Sequence, residues 1–415
     1  GQIRVDPTHA DTVYVMGLAL NVSTDGGRTF KAIGDMHGDH HALWIDPDNP
    51  RFLVNGNDGG VVVSYDQGLT WREFLDNLPA VQFFNVSYDM DTPFRVYGSI
   101  QDHGSRRAVV DLSRGRDRVP AQAFQNAPGG EGSRHAIDPR DPKIVYSAGF
   151  YHNITRADVS KVDARGRAQS VAITPRLGPA DGYLRGQWLS PVVLSAHNPD
   201  VVYFGGQYVF RSWNRGDNWE RISADLSYND PKQQGDVPYQ TVFALSESPM
   251  RFGLLYAGTD DGRLHVTRDG GRTWAEITKG LHPKRWVSKA VASAFDEGTV
   301  YVTQNGKRDD DVAAYIWKST DFGATWKSIA GNIPLGPVNV IAEDPTDARI
   351  LYVGTDIGVY VTLDGGASWS VLGGNLPSTY VHDIVIHPRD RMIVAATHGR
   401  GMWVMDAVPV QSAKR

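Results

Sequence analysis

The densest group of side chains able to do chemistry is His37-Gly38-Asp39-His40-His41, three imidazoles and a carboxylate within one short stretch. Neutral imidazoles and a carboxylate suit zinc or a similar ion. His40 and His41 are adjacent at the start of an expected strand, where successive side chains point to opposite faces. A metal held by His40 or His41 therefore needs ligands from other parts of the chain, and the expectation is hydrogen-bonded histidines and no cofactor. A second group comprises carboxylates in glycine-flanked loops: Asp58 before Gly59-Gly60, Asp102 in Gln101-Asp102-His103-Gly104, and Glu131 in Gly129-Gly130-Glu131-Gly132. Glycoside hydrolysis needs two carboxyls, either about 5.5 Å or about 6.5–9.5 Å apart. Asp39, Asp102 and Glu131 are the catalytic candidates, whereas Asp58 reads as a turn residue. Candidate ligand contacts are Gln101, His103, Trp188, Trp286, Asp260, His398 and Arg400. Tryptophan can stack on a sugar ring, or pack between repeats. A serine-hydrolase elbow of the type Gly-x-Ser-x-Gly is absent, and with no cysteine there is neither thiolate chemistry nor a disulfide framework.

The elements that must position these groups are announced by three repeated signals. The first is the octapeptide Ser/Thr-x-Asp-x-Gly-x-Thr/Ser-aromatic at Ser23 to Phe30, Ser64 to Trp71, Thr267 to Trp274, Ser319 to Trp326 and Thr362 to Trp369, with Asn214 replacing the aspartate at Ser212 to Trp219. Its short polar side chains bond to backbone N–H groups two residues on, its glycine takes positive φ, and its aromatic anchors the next strand. The second is an Asp-Pro-like turn closing a strand, as at Asp6-Pro7, Asp138-Pro139 and Asp344-Pro345, because proline cannot donate to a ladder. The third is a β-branched or aromatic run ending in a small residue, such as Val145 to Gly149 or Leu351 to Gly354.

These runs recur nine times at about 47 residues, the size of a four-stranded propeller blade. The sequence predicts an all-β propeller of four-stranded antiparallel blades, seven to nine in number. The modules lie near 1–36, 37–80, 81–120, 121–178, 179–228, 229–282, 283–334, 335–378 and 379–408. The third and fourth lack the octapeptide and the last has only three strands, so an end module is expected to complete a second propeller in a longer protein. In such a blade the Asp-Pro turns and octapeptides share one face, and their aspartates read as turn formers. The opposite face carries all the candidates named above, as loops on a rigid scaffold often do.

Composition limits the partners. A formal net charge of −5 and a pI near 6.2 lack the basic footprint of nucleic-acid binding. Arg106, Arg107, Arg114, Arg116 and Arg118 are interleaved with Asp111 and Asp117 and read as a solvated loop. No apolar run is long enough to span a bilayer.

The octapeptides resemble the bacterial neuraminidase, or Asp-box, repeat of sialidases, xyloglucanases and sortilin-type receptors. Asp39 to Pro47, Asn57-Asp58-Gly59-Gly60, Gln101 to Ser105, Trp286-Val287-Ser288 and Thr397 to Gly401 together resemble the C-terminal half of large bacterial sortilin-like proteins that carry a glycosyl hydrolase label. The resemblance implies an exported, extracytoplasmic propeller that binds peptide or glycan, with other protein subunits as further partners and a glycoside hydrolase as the alternative. Ile3-Arg4-Val5 does not match the Arg-Ile-Pro of sialidases, and the Arg-Thr-Asp-x-Gly-Gly of xyloglucanases is missing. The cysteine-rich module and membrane span of sortilin-type receptors are also missing from these residues.

Overall fold

The runs of Val, Tyr and Ala ending in glycine become the second strand of each sheet and are buried on both faces. Tyr14, Tyr97, Tyr146, Tyr203, Tyr256, Tyr301 and Tyr352 are each at most 1% exposed. Continuous apolar runs are what a doubly covered strand requires. Two of these phenols donate to a carboxylate at their own sheet's first turn, Tyr97 to Asp89 at 3.3 Å and Tyr352 to Asp344 at 2.9 Å, and Tyr203 donates to Glu247 of the next sheet at 2.8 Å. The fourth strands are two-residue, exposed and polar pieces such as Glu220–Arg221 and Lys327–Ser328 in most sheets. Short charged outer strands resist edge-to-edge pairing.

The computed structural model describes residues 1–74, 80–235 and 237–413. Among them the nine modules are nine antiparallel sheets with strands in sequential order, eight of four strands and the last of three. The chain is an all-β, multi-bladed propeller protein. It divides into two compact units, Gly1–Ala80 and Val81–Arg415. The first unit holds two sheets around Tyr14, Met16, Leu20, Leu43 and Leu53. The second holds seven.

In the second unit the inner strands are Ser87–Tyr88, Ser133–Ile137, Val192–Leu194, Val242–Glu247, Trp286–Ala292, Val338–Asp344 and Tyr380–His387. Each contacts the next, and Tyr380–His387 contacts Ser87–Tyr88, so the ring closes. His382 Nδ1–H donates to Phe83 O at 2.9 Å, and His387 Nε2–H to Asp89 O at 3.0 Å. Phe83, Val86, Phe94 and Val96 share a core with Met392, Val394 and Ala396.

The octapeptide hairpins consume their own polar groups. Ser319 Oγ donates to Asp321 at 2.7 Å, Gly323 N donates to Ser319 Oγ at 2.8 Å, and Thr325 donates to Asp321 from N at 2.9 Å and from Oγ1 at 2.6 Å. The threonine hydroxyl leads in holding Asp25, Asp66, Asp269 and Asp321 at about 2, below the usual carboxylate range. The closing tryptophan then staples neighbouring sheets. The indole N–H groups of Trp219, Trp274, Trp326 and Trp369 donate to Ile173, Ile222, Ile277 and Ile329 carbonyls of the preceding sheet at 2.5–2.9 Å. Gly216, Gly271, Gly323 and Gly366, at φ between +87° and +95°, lie against those same isoleucines, where an added Cβ would fall 2.4–2.8 Å away. Glycine is required twice over, for its backbone angle and for the approach of the neighbour.

Candidate functional site

Each inner strand of the second unit begins near the ring's centre, and four of them are interrupted there. The registers of Val242–Glu247, Trp286–Ala292, Val338–Asp344 and Tyr380–His387 each slip by one residue, at Phe243, Ser288, Asn339 and His382. Such a bulge bends the strand and re-aims a side chain. All four of these residues line one cavity of about 450 Å³, to which all seven sheets contribute. The volume falls in the range of small-molecule sites.

The wall mixes amides, aromatic rings and cations. Gln82, Asn85, Gln101, Gln187 and Asn305 supply side-chain amides beside Asn339. Asn339 is held by Asn305, whose Nδ2 donates to it at 2.7 Å, and donates in turn to Asp356 at 3.0 Å. Phe84, Trp188, Phe243, Trp286 and Tyr380 supply rings. Phe243 and Trp286 meet edge to face with centroids 4.6 Å apart. Arg134 lies over Phe243 at 4.3 Å, and Arg308 over Trp286 at 4.0 Å. Lys307 caps Tyr380, 4.0 Å above its ring and hydrogen-bonded to its hydroxyl. Lys289 pairs with Asp383 at 3.0 Å. Desolvation pushes the Arg134 guanidinium down to about 10, against the opposing pull of Asp383. Burial also drives His382 down to about 4, which leaves its imidazole neutral at neutral pH.

Of the residues picked out in the sequence, Gln101, Trp188, Trp286 and His398 line this cavity. Trp188 is also packed by Phe150 and Tyr151, at 4.7 and 5.9 Å, and by the backbone of Gly132, which has no room for a Cβ there. Asp260 stands one layer behind. It is 3% exposed, accepts from Gln187 Nε2 at 2.5 Å and from Thr241 N at 2.8 Å, and is pushed by burial up to about 7. Asp102 and Glu131 belong to neighbouring loops, where a Glu131 carboxylate oxygen accepts from the Asp102 N–H at 2.6 Å. Gln101 Nε2 in turn donates to Asp102 at 3.1 Å, which ties this pair of loops to the cavity wall. His103 Nδ1–H turns back onto Gln101 O at 3.0 Å, and Arg400 is exposed outside the lining.

Asp39, His40 and His41 belong to the first unit. His40 is buried with Nδ1 at 2.8 Å from Asn55 Oδ1, whereas His41 is exposed and meets Asp58 at 2.7 Å. The two imidazoles diverge as strand alternation requires, with the slip in register falling at His41. Among the described residues no group of three or more His, Cys, Asp or Glu side chains could hold a metal ion. No helix among them is long and apolar enough to cross a membrane.

Sequence reasoning missed Arg134, Phe243, Lys289, Asn339 and Asp383. The available signal was a charged residue within a strand-like run, as Asp383 in Tyr380–His387 or Lys289 in Trp286–Ala292.

A closed ring of seven antiparallel sheets around a polar, aromatic-walled cavity defines a propeller with a ligand-sized central site. No family model matches the chain. It is 20% identical to an oligoxyloglucan-reducing end-specific xyloglucanase of Emericella nidulans over 404 residues, covering 87% of this chain and 44% of that protein. A xyloglucanase of Paenibacillus sp is 32% identical over 162 residues, 32% of this chain and 15% of that protein. Sortilin of Rattus norvegicus is 29% identical over 133 residues, 30% of this chain and 15% of that protein. The chain thus spans less than half the length of each of these relatives.

Proposed function

We propose that the second unit is a sortilin-like, Asp-box binding propeller that takes a glycan in its central cavity, within an exported protein that works outside the cytoplasm. The observation carrying this reading is the cavity itself: about 450 Å³, walled by amides and aromatic rings, with contributions from every sheet of the ring. Amides offer paired donors and acceptors for sugar hydroxyls, and rings offer apolar area with a polar edge. The similarity to two xyloglucanases supports a glycan over a peptide.

Calorimetric titration with a panel of oligosaccharides and short peptides tests it. Saturable binding of a saccharide, lost on Trp286→Ala, is the expected result; binding of peptides alone would replace the glycan, and no binding would remove the reading. Export is checked by locating the full protein in fractionated cells.

A glycoside hydrolase remains the second reading, favoured by one contact, the Glu131 carboxylate on the Asp102 N–H at 2.6 Å, which brings two acids to one loop cluster beside the cavity. If these residues act as acid and base, polysaccharide hydrolysis falls at least a hundredfold in Asp102→Asn and Glu131→Gln. Equal activity in wild type and both variants rejects them. Asp39 stands in the other unit and is tested by Asp39→Asn in the same assay.

A further inference from the structure

Resting on the binding reading above, we infer that the central cavity selects an acidic saccharide, one whose sugar carboxylate is received by Arg134 and Arg308. The cavity lining holds four cationic side chains, Arg134, Lys289, Lys307 and Arg308, against a single carboxylate, Asp383. That carboxylate is already engaged, accepting from Lys289 at 3.0 Å and from Val86 N at 3.3 Å. Lys307 has Asp356 at 4.0 Å. Among the described residues no carboxylate lies within ion-pair distance of Arg134 or Arg308.

Arg134 is the informative cation. It is half-buried on an inner strand, in a sequence of otherwise small or apolar neighbours apart from His135. Among the described residues its guanidinium makes one hydrogen bond, to Phe243 O at 2.8 Å, although it carries five N–H donors. A cation partly withdrawn from water, with no carboxylate at ion-pair distance, is costly to keep. Arg308 is exposed, with its guanidinium carbon 4.0 Å from the centre of the Trp286 ring. Because Phe243 and Trp286 meet edge to face, the two guanidiniums lie beside one aromatic pair, each over one of its rings. Planar forks so arranged match the two oxygens of a carboxylate.

The occupant is a saccharide more readily than an extended acidic peptide. A peptide would add to the free edge of an inner strand, and four of the seven strands carry a bulge where they meet the cavity. Bulges turn an edge away from such pairing. What the bulges present instead is a set of separate side chains, Phe243, Ser288, Asn339 and His382, suited to a ring bearing hydroxyls.

The test uses the whole chain and tetramers of galacturonate and mannuronate, each beside its methyl ester, which keeps the sugar and removes the charge. The expected result is at least tenfold tighter binding of one acid form than of its ester, weakening as salt is raised. Arg134→Met should abolish that preference, Arg308→Met should reduce it severalfold, and Arg272→Met, in an octapeptide turn, should leave it unchanged. Arg308 is exposed, so its variant keeps the test decisive if Arg134→Met does not fold. Equal affinity for acid and ester, or tighter binding of neutral xylo-oligosaccharides, overturns the charge selection while leaving the binding reading intact. Binding of tetraglutamate with no saccharide bound overturns the saccharide and substitutes a peptide. Failure of every saccharide and peptide overturns both readings.

Discussion

The octapeptide turns and the central cavity are equally rich in polar residues and use them in opposite ways. At Thr267 to Trp274, Ser319 to Trp326 and Thr362 to Trp369 the aspartate is saturated by its own hairpin, and the tryptophan N–H is spent on the neighbouring sheet. In the cavity Arg134 keeps most of its donors uncommitted, and four inner strands give up regular pairing to present a side chain. Density of polar groups therefore says little about function. What separates the two regions is whether those groups are already satisfied within the fold.

The contrast can be broken by substitution. Trp369→Ala, at a 4% exposed staple, is expected to cost about 3–5 kcal/mol of stability, read as a fall in the thermal midpoint, with ligand affinity of the folded protein unchanged. Phe243→Ala should do the reverse: a tenfold or greater loss of saccharide affinity by calorimetry, with a smaller shift in midpoint, because Phe243 supports Arg134 and is only partly buried. If each variant damaged both properties equally, the division between the regions would fail. Asp364→Ala, which removes the acceptor for Thr362, Ala367 and Ser368, should lower the midpoint less than Trp369→Ala does and leave affinity alone.

Acidity separates the regions by sign. Asp25, Asp66, Asp269 and Asp321 sit at about 2 in the folded chain against an ordinary 3.8, so their contribution is present above pH 4 and is lost as pH falls from 4 towards 2. Asp260, raised by burial to about 7, binds an extra proton when folded. Its contribution is present below pH 4 and is lost as pH rises from 4 through 7. Midpoints of Asp260→Asn and wild type should therefore converge at pH 4 and differ most above pH 7, the variant being the more stable there. A difference that does not change with pH would show that Asp260 does not titrate in this range.

The turns were legible because their chemistry is local. Eight consecutive residues contain the donor, the acceptor, the positive-φ glycine and the anchor, so Ser319 to Trp326 can be read without knowing any neighbour. The staple from Trp326 to Ile277 could not be, since it depends on two sheets being adjacent. The cavity is less legible still. Arg134 and Asp383 stand far apart along the chain yet influence one another at the cavity, and a charge within a strand gives no hint of that convergence. His37 to His41 misdirects for the converse reason, because proximity along the chain places His40 inside and His41 outside. Gln101 and Trp188 stand in loops, and Trp286 and His398 at the ends of strands, so each could be singled out from its local sequence, but their convergence on one cavity could not.

Closure of the ring sets a timetable for the nascent chain. His382 and Phe83, which bond across the seam, are separated by 299 residues. At the usual 5–20 residues per second of synthesis, about 15–60 s pass between their appearances. Throughout that interval Phe83, Val86, Phe94 and Val96 wait without Met392, Val394 and Ala396, and the cavity wall lacks at least one of its seven sectors. The protein is thus most open to misassociation or chaperone capture while its first inner strand waits for its last, and the central cavity is completed when they meet.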